Sequence, residues 1–201
     1  MDEPRFPRAD ADTPAFWEMR WRARVTPWDS GRVPAQFAGH LANRPPRGPV
    51  LVPGCGSGHD VRHLAEAGFA VTGLDFSAAA LDRARPVAGP YADRLVEGDF
   101  FAHAGGPYAL VYERAFLCAL PRRRWRDWAE GCARLVMPGG ELAGFFYFGD
   151  GERGPPFALS GQPELDALLA DRFDRIEDLP VPDSIDVFAG RERWQAWRRR
   201  G

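Results

Sequence analysis

Residues 50–61 read VLVPGCGSGHDV. Three apolar residues and Pro53 run directly into Gly54-Cys55-Gly56-Ser57-Gly58, and a helical pattern begins at His59. A strand that passes through closely spaced glycines into a helix is how an open α/β sheet builds a nucleotide site. Glycine tolerates positive φ and lets a ligand press on backbone N–H groups, while the helix N-terminus adds a positive dipole. Downstream, strand and helix patterns alternate, which predicts a doubly wound α/β fold with a mostly parallel sheet. Residues 69–74 read as the second strand and 77–85 as a helix capped by Ser77. Residues 94–96 read as the third strand. Residues 108–112 form the fourth, apolar throughout and suited to burial on both faces. Residues 122–136 are amphipathic, Met137-Pro138-Gly139-Gly140 stops that helix, and 141–148 is the fifth strand. A helix near 163–170 and a strand near 173–179 follow, and the segment from 187 to 199 fits helix or strand.

Upstream, Thr13 and Pro14 start a helix carrying Phe16, Trp17, Met19 and Trp21. TPWDSGRVP reads as a loop and residues 35–42 as a second short helix. Residues 1–12 are polar, acidic and proline-bearing, which predicts disorder. The expected organisation is one domain over residues 13–201, with residues 13–45 as N-terminal helices.

The chain of 201 residues is 45% apolar and 27% charged, the balance of a water-soluble globular domain. No run approaches the roughly 18 apolar residues of a membrane span, and the charged N-terminus is no secretory signal, so a cytoplasmic location is expected. A net charge of −2 gives no field drawing the chain to nucleic acid or an anionic membrane. All 26 basic residues are arginine, which excludes a Schiff-base lysine and a lysine-bearing phosphate loop. Cys55, Cys118 and Cys132 are odd in number and irregularly spaced, which fits reduced structural thiols rather than disulfides or zinc. His59 and His63 share a helix face, but no glutamate completes a metalloprotease pattern, and no metal is expected.

About twenty residues beyond the glycine loop, Asp75 ends the second strand, where a carboxylate can accept both ribose hydroxyls. A dinucleotide fingerprint wants a third small residue to let the helix approach a pyrophosphate, and His59 stands there instead. S-adenosylmethionine (SAM) has no pyrophosphate, so the loop suits it better. Gly98-Asp99-Phe100-Phe101 follows the third strand, where an acid and a backbone N–H can read an adenine edge.

VLVPGCGSGHDV, VTGLDFS, EGDFF, YALVYERAFLCALP and LVMPGGEL, in this order, resemble the thiopurine S-methyltransferase-like family. WEMRWRARVTPWDSGRVP and GRERWQAWRR are similar to its halide and thiol methyltransferase branch. The resemblance covers nearly all of the chain beyond residue 15. It implies a seven-stranded, Rossmann-like class I methyltransferase sheet, its last strand antiparallel and supplied by the C-terminal segment, with the N-terminal helices as a lid. It implies SAM as cofactor, S-adenosylhomocysteine (SAH) as product, and contacts from Trp17, Trp21, Trp28, Gly54, Cys55, Gly56, Asp75, Phe76, Asp99 and Phe100. Glu113, Arg114 and Phe116 would face the transferring methyl. Glu113-Arg114 stands where halide and thiol members carry an acid followed by tyrosine. Arginine here is closer to the thiopurine enzymes, and points to a larger anionic or thiolate acceptor than a halide.

Transfer from a sulfonium is an in-line displacement needing alignment and exclusion of water, and no base when the acceptor is a low-pKa thiol. Arg114 is the candidate to orient an anionic acceptor, or else forms a surface ion pair. Glu113 could serve as base for an N–H or O–H acceptor and as a further cofactor contact. The tryptophans either enclose SAM or pack the core, and Trp28, in a polar loop, fits the site better. His103 lines the acceptor pocket or is a solvated loop histidine. Cys118 reads as buried and inert, and the Arg122–Arg124 and Arg198–Arg200 runs as solvated charge. The expected activity is methylation of a small soft nucleophile, most simply a thiol or thiopurine-like sulfur. The open alternatives are N- or O-methylation of a heteroaromatic metabolite, a nicotinamide-dependent oxidoreductase, and a non-catalytic SAM-binding module. The expected partner is a small-molecule acceptor, handled by a monomer or weak homodimer.

Overall fold

Val50, Leu51 and Val52 are buried because β1 (Val50–Pro53) lies between two parallel neighbours, β2 (Val71–Asp75) and β4 (Tyr108–Arg114). The computed structural model describes residues 10–150 and 153–201. With β3 (Leu95–Glu97), β5 (Val136–Tyr147), β6 (Phe173–Pro180) and β7 (Glu192–Arg199), the strands form one seven-stranded sheet in the order β3-β2-β1-β4-β5-β7-β6. β7 runs antiparallel to β5 and β6, and the β1–β5 pairings are all parallel. This is the doubly wound sheet expected, with its antiparallel strand supplied by the C-terminal segment.

Side chains alternate across β4. Leu110 and Tyr112 join Phe37, Leu41, Val61, Leu64 and Trp194 on one face. Val111 joins Trp128, Cys132, Leu165, Leu169 and Trp197 on the other. The first face is covered by α2 (Ala35–Asn43) and α3 (His59–Glu66), with α4 (Ala78–Ala88) beside α3. The second is covered by α5 (Trp125–Leu135) and α6 (Gln162–Leu169). Trp128 and Trp194 are fully buried, one on each face, and truncating either to alanine costs about 3–5 kcal/mol.

Four expectations are corrected. β5 begins at Val136, directly after α5, because the Met137–Gly140 segment is a ladder irregularity within the strand rather than a turn before it. α2 is not part of a lid: Phe37 stacks on Tyr112 at 3.6 Å, so the helix lies on the sheet face. Of the described residues in 13–45, α1 (Pro14–Ala23) and the loop after it are the ones that line the cavity at the open end of the sheet. Asp10–Asp12 belong to the folded body, with Ala11 buried and Asp10 and Asp12 paired to Arg123; the rest of the expected disordered segment lies outside the described residues. The arginine runs are engaged rather than merely solvated. Arg122 pairs with Glu164, Arg124 lies over Phe101, Arg198 pairs with Glu141, and Arg200 pairs with Asp174. No helix among the described residues is long and apolar enough to cross a membrane.

Candidate functional site

A cavity of about 290 Å³ opens at the C-terminal ends of β1, β2 and β4, where open α/β sheets place their ligands. Its floor follows from the glycines. Gly54, Gly56 and Gly58 have φ of 60°, 51° and 78°, in the left-handed region that side chains disfavour. A Cβ at Gly54 would come within 2.7 Å of Phe116, and one at Gly56 within 3.0 Å of Trp21. The glycines therefore let two aromatic rings close on the loop: Gly54 lines this cavity, whereas Cys55 and Gly56 face a smaller neighbouring pocket bounded by Trp21, Trp28 and Arg114.

Asp75 closes this floor at the end of β2. Its Oδ2 accepts from the Gly56 N–H at 3.0 Å and its Oδ1 from the Ser77 N–H at 2.9 Å. Burial pushes its pKa up to about 6 against the pull of those N–H groups. A buried carboxylate that holds the glycine loop and still lines the cavity has lone pairs left for a ligand's hydroxyls. Phe76, Gly98 and Phe100 continue this wall. Phe100 is also core, packed edge-on against Phe116.

The roof is aromatic. Trp17 and Trp21 project from α1 and meet Trp28 edge-to-face, at ring separations of 5.4 and 6.1 Å. All three line the cavity. Such faces suit an adenine ring or a sulfonium cation. Arg114, at the end of β4, fastens the loop that carries Trp28. Its guanidinium donates to the Arg32 carbonyl at 3.0 Å and to Ser30 Oγ, and pairs with Asp60 on α3 at 3.4 Å. It also borders the cavity, so one cation both straps the roof and faces the ligand.

The far end of the cavity is apolar. Cys118 and Phe188 are buried together with Tyr147 and Ala158, and Trp28, Ala115 and Val187 pack against them. Pro155 and Pro156 complete the wall. Burial pushes the Cys118 thiol well up, as befits an inert wall residue.

Several expected site residues lie elsewhere. Glu113 is buried, and its Oε1 accepts from the Phe116 and Leu117 N–H groups at 2.8 and 3.0 Å. It pins the turn through Ala115, whose φ is 56°, and it is not part of the cavity wall. Burial raises its pKa to about 7. His103 bonds the Tyr108 hydroxyl at 2.7 Å, at the start of β4. That is the end of the strand remote from Arg114, so His103 cannot face the acceptor. Asp99 is exposed and spends Oδ1 on the Phe101 N–H at 3.0 Å; Gly98 and Phe100 line the cavity in its place. The Cys55 N–H is taken by the Leu74 carbonyl at 3.1 Å, and the side chain packs with the α3-side core. Pro155, Pro156, Val187, Phe188 and Arg20 were not expected in the wall. The apolar Ile185, Val187 and Phe188 in a segment that otherwise carries Pro, Asp, Ser and Gly are the signal that could have found Phe188. No group of His, Cys, Asp or Glu that could hold a metal occurs among the described residues.

A glycine cradle, a carboxylate for a diol and an aromatic roof fit an adenosyl sulfonium. The sequence profile of the thiopurine S-methyltransferase family matches residues 12–200. A thiocyanate methyltransferase of Brassica oleracea is 33% identical over 191 residues, which are 91% of this chain and 84% of the relative. A solved structure described as the conversion of a disulfide bond into a thioacetal group during echinomycin biosynthesis is similar with a TM-score of 0.72 and 20% identity, over 93% of both chains. A Burkholderia thailandensis 1,6-didemethyltoxoflavin N1-methyltransferase, solved with 1,6-didemethyltoxoflavin and SAH, gives a TM-score of 0.65 and 18% identity, over 98% of this chain and 94% of its own. These two structures are similar in fold.

Proposed function

The chain belongs to the thiopurine S-methyltransferase family and is a SAM-dependent methyltransferase; on that premise we propose that it methylates the sulfur of a small thiol or thiolate-like acceptor at the apolar end of the cavity. The bound cofactor supplies a methyl group already activated by a positive sulfur, and leaves as SAH. What the chain must do is align the acceptor and exclude water.

Asp75 takes the ribose hydroxyls, and the Gly54–Gly56 backbone lies along the methionine portion. Trp17, Trp21 and Phe76 enclose the nucleoside and sulfonium. Trp28, Ala115, Phe116, Cys118, Pro156 and Phe188 shape the acceptor chamber. The Arg114 charge favours an anionic acceptor while its contacts keep Trp28 over the chamber.

One observation carries the preference for sulfur: Glu113 does not line the cavity, and its Oε1 is committed to two backbone N–H groups. A nucleophile that arrives as a thiolate or soft anion needs no base, whereas an N–H acceptor does. The test is a product screen by mass spectrometry with labelled SAM, pooled thiols, thiocyanate and heterocycles. Methylated sulfur is expected, and products methylated only on nitrogen or oxygen would overturn the reading. The same reading covers one domain that takes in Asp10–Asp12 along with residues 13–201, a cytoplasmic monomer or weak homodimer acting on free small molecules rather than nucleic acid. The net charge of −2 and the three free cysteines support it.

A further inference from the structure

We infer that Glu18, which does not line the cavity, is a positioning residue that seats the lid helix on the cofactor site by capping α4 from outside. The first turn of α4 contains no acidic residue of its own. Its N-cap, Ser77, accepts from the Ala80 N–H at 3.1 Å, and the neighbouring Ala79 N–H donates to Glu18 Oε2 at 3.0 Å. The Ser77 hydroxyl donates to that same oxygen at 2.6 Å, and Glu18 Oε1 accepts from Arg22 at 2.9 Å. An anion from α1 thus fills the place that the α4 dipole and open N–H groups call for.

The second observation is where this cap leads. The Ser77 N–H donates to Asp75, and Asp75 accepts from the Gly56 N–H. The hydrogen bonds therefore run unbroken from the glycine loop through Asp75 and Ser77 to Glu18. Glu18 lies beside Trp17 in sequence and one turn from Trp21, the two roof rings that α1 contributes. Fixing Glu18 on α4 fixes the height and rotation of those rings above Asp75. Nothing else in the bonding of Glu18 requires it to reach across to another helix.

The inference rests on the cofactor reading above, and the test separates the two. Glu18→Ala and Glu18→Gln are compared with wild type by SAH calorimetry and by hydrogen exchange of the ligand-free protein at the Ala79 amide. Loss of the cap in Glu18→Ala should weaken SAH about fivefold or more and speed Ala79 exchange about tenfold. The acceptor KM at saturating SAM should stay within about twofold. Glutamine keeps an oxygen for the same donors and should recover most of the affinity. Ser77→Ala, a gentler cut in the same chain, should weaken SAH about two- to fivefold and serves if Glu18→Ala does not fold. Wild-type SAH affinity in Glu18→Ala or Ser77→Ala, or a Glu18→Gln variant no better than Glu18→Ala, would overturn the role of Glu18. Failure of the wild-type protein itself to take up SAH would overturn the cofactor reading, and this inference with it.

Discussion

At the cofactor end, Gly54, Asp75 and Phe76 line the cavity from two adjacent strand ends, and the Asp75 carboxylate ties them to the glycine loop through the Gly56 N–H. At the acceptor end, Trp28, Ala115, Pro156 and Phe188 come from four separate loops, and the side chains of Trp28, Ala115 and Phe188 meet through apolar packing. The first end is fixed by φ angles and a buried charge, which few substitutions satisfy. The second is fixed by shape, which many side chains can approximate. One cofactor site can therefore serve varied acceptors by changes confined to loops.

Asp75→Ala should break the cofactor end most severely. Loss of two charge-assisted hydrogen bonds is expected to weaken SAH about 100-fold, or roughly 2.7 kcal/mol, by calorimetry. The acceptor KM at saturating SAM should change little; an equal loss there would erase the distinction between the two ends. Wild-type SAH affinity should fall as the pH drops below about 6, where Asp75 takes up a proton.

Glu113→Gln comes next and tests whether the acceptor end does proton chemistry. The folded-state pKa of about 7 lies above the ordinary 4.5, so the stability this group contributes is present below 4.5 and is lost as pH rises through 7. As pH rises from 4.5 to 8 the glutamine variant should gain about 3 kcal/mol on wild type in denaturant unfolding, with turnover unchanged at every pH. Loss of turnover would make Glu113 a base and favour a nitrogen or oxygen acceptor.

Gly56→Ala should cost about 1–2 kcal/mol through its positive φ, and a Cβ 3.0 Å from Trp21 displaces the roof, so SAH binding should weaken about tenfold. Phe188→Ala should be the mildest. The acceptor KM should rise about fivefold while SAH affinity and kcat stay near wild type, since the acceptor wall loses shape and nothing else. A large change in SAH affinity there would show that the ends are coupled through Trp28.

The same contrast governs what could be read from the sequence. GCGSG and Asp75 announce themselves because glycine at positive φ and an acid at a strand end are chemical requirements of the position. The strand at 192–199 is ambiguous in sequence because Trp194, Gln195, Ala196 and Trp197 are all buried, one face after the other, which removes the alternation that marks a half-exposed strand. Glu113 reads as a site residue in the sequence because the turn that captures its carboxylate depends on Ala115 at positive φ, which alanine does not advertise. Arg114 is legible as a site residue, but its strap depends on Asp60, Ser30 and Arg32, partners far from it in sequence. Phe37 and Leu41 mark a helix with one apolar side, and that pattern cannot say whether the helix lies on a sheet or across its mouth.

β6 pairs with β7 alone, and β7 lies between β6 and β5 although it is made after both. During synthesis, therefore, β5 and β6 each wait with an open edge until the strand carrying Trp194 and Trp197 emerges to bridge them. Such late, long-range pairing slows folding and leaves sheet edges exposed to self-association in the interval. A variant that loosens the Trp194 or Trp197 packing should betray itself in a nascent or heated sample as aggregation before any defect in catalysis is measurable.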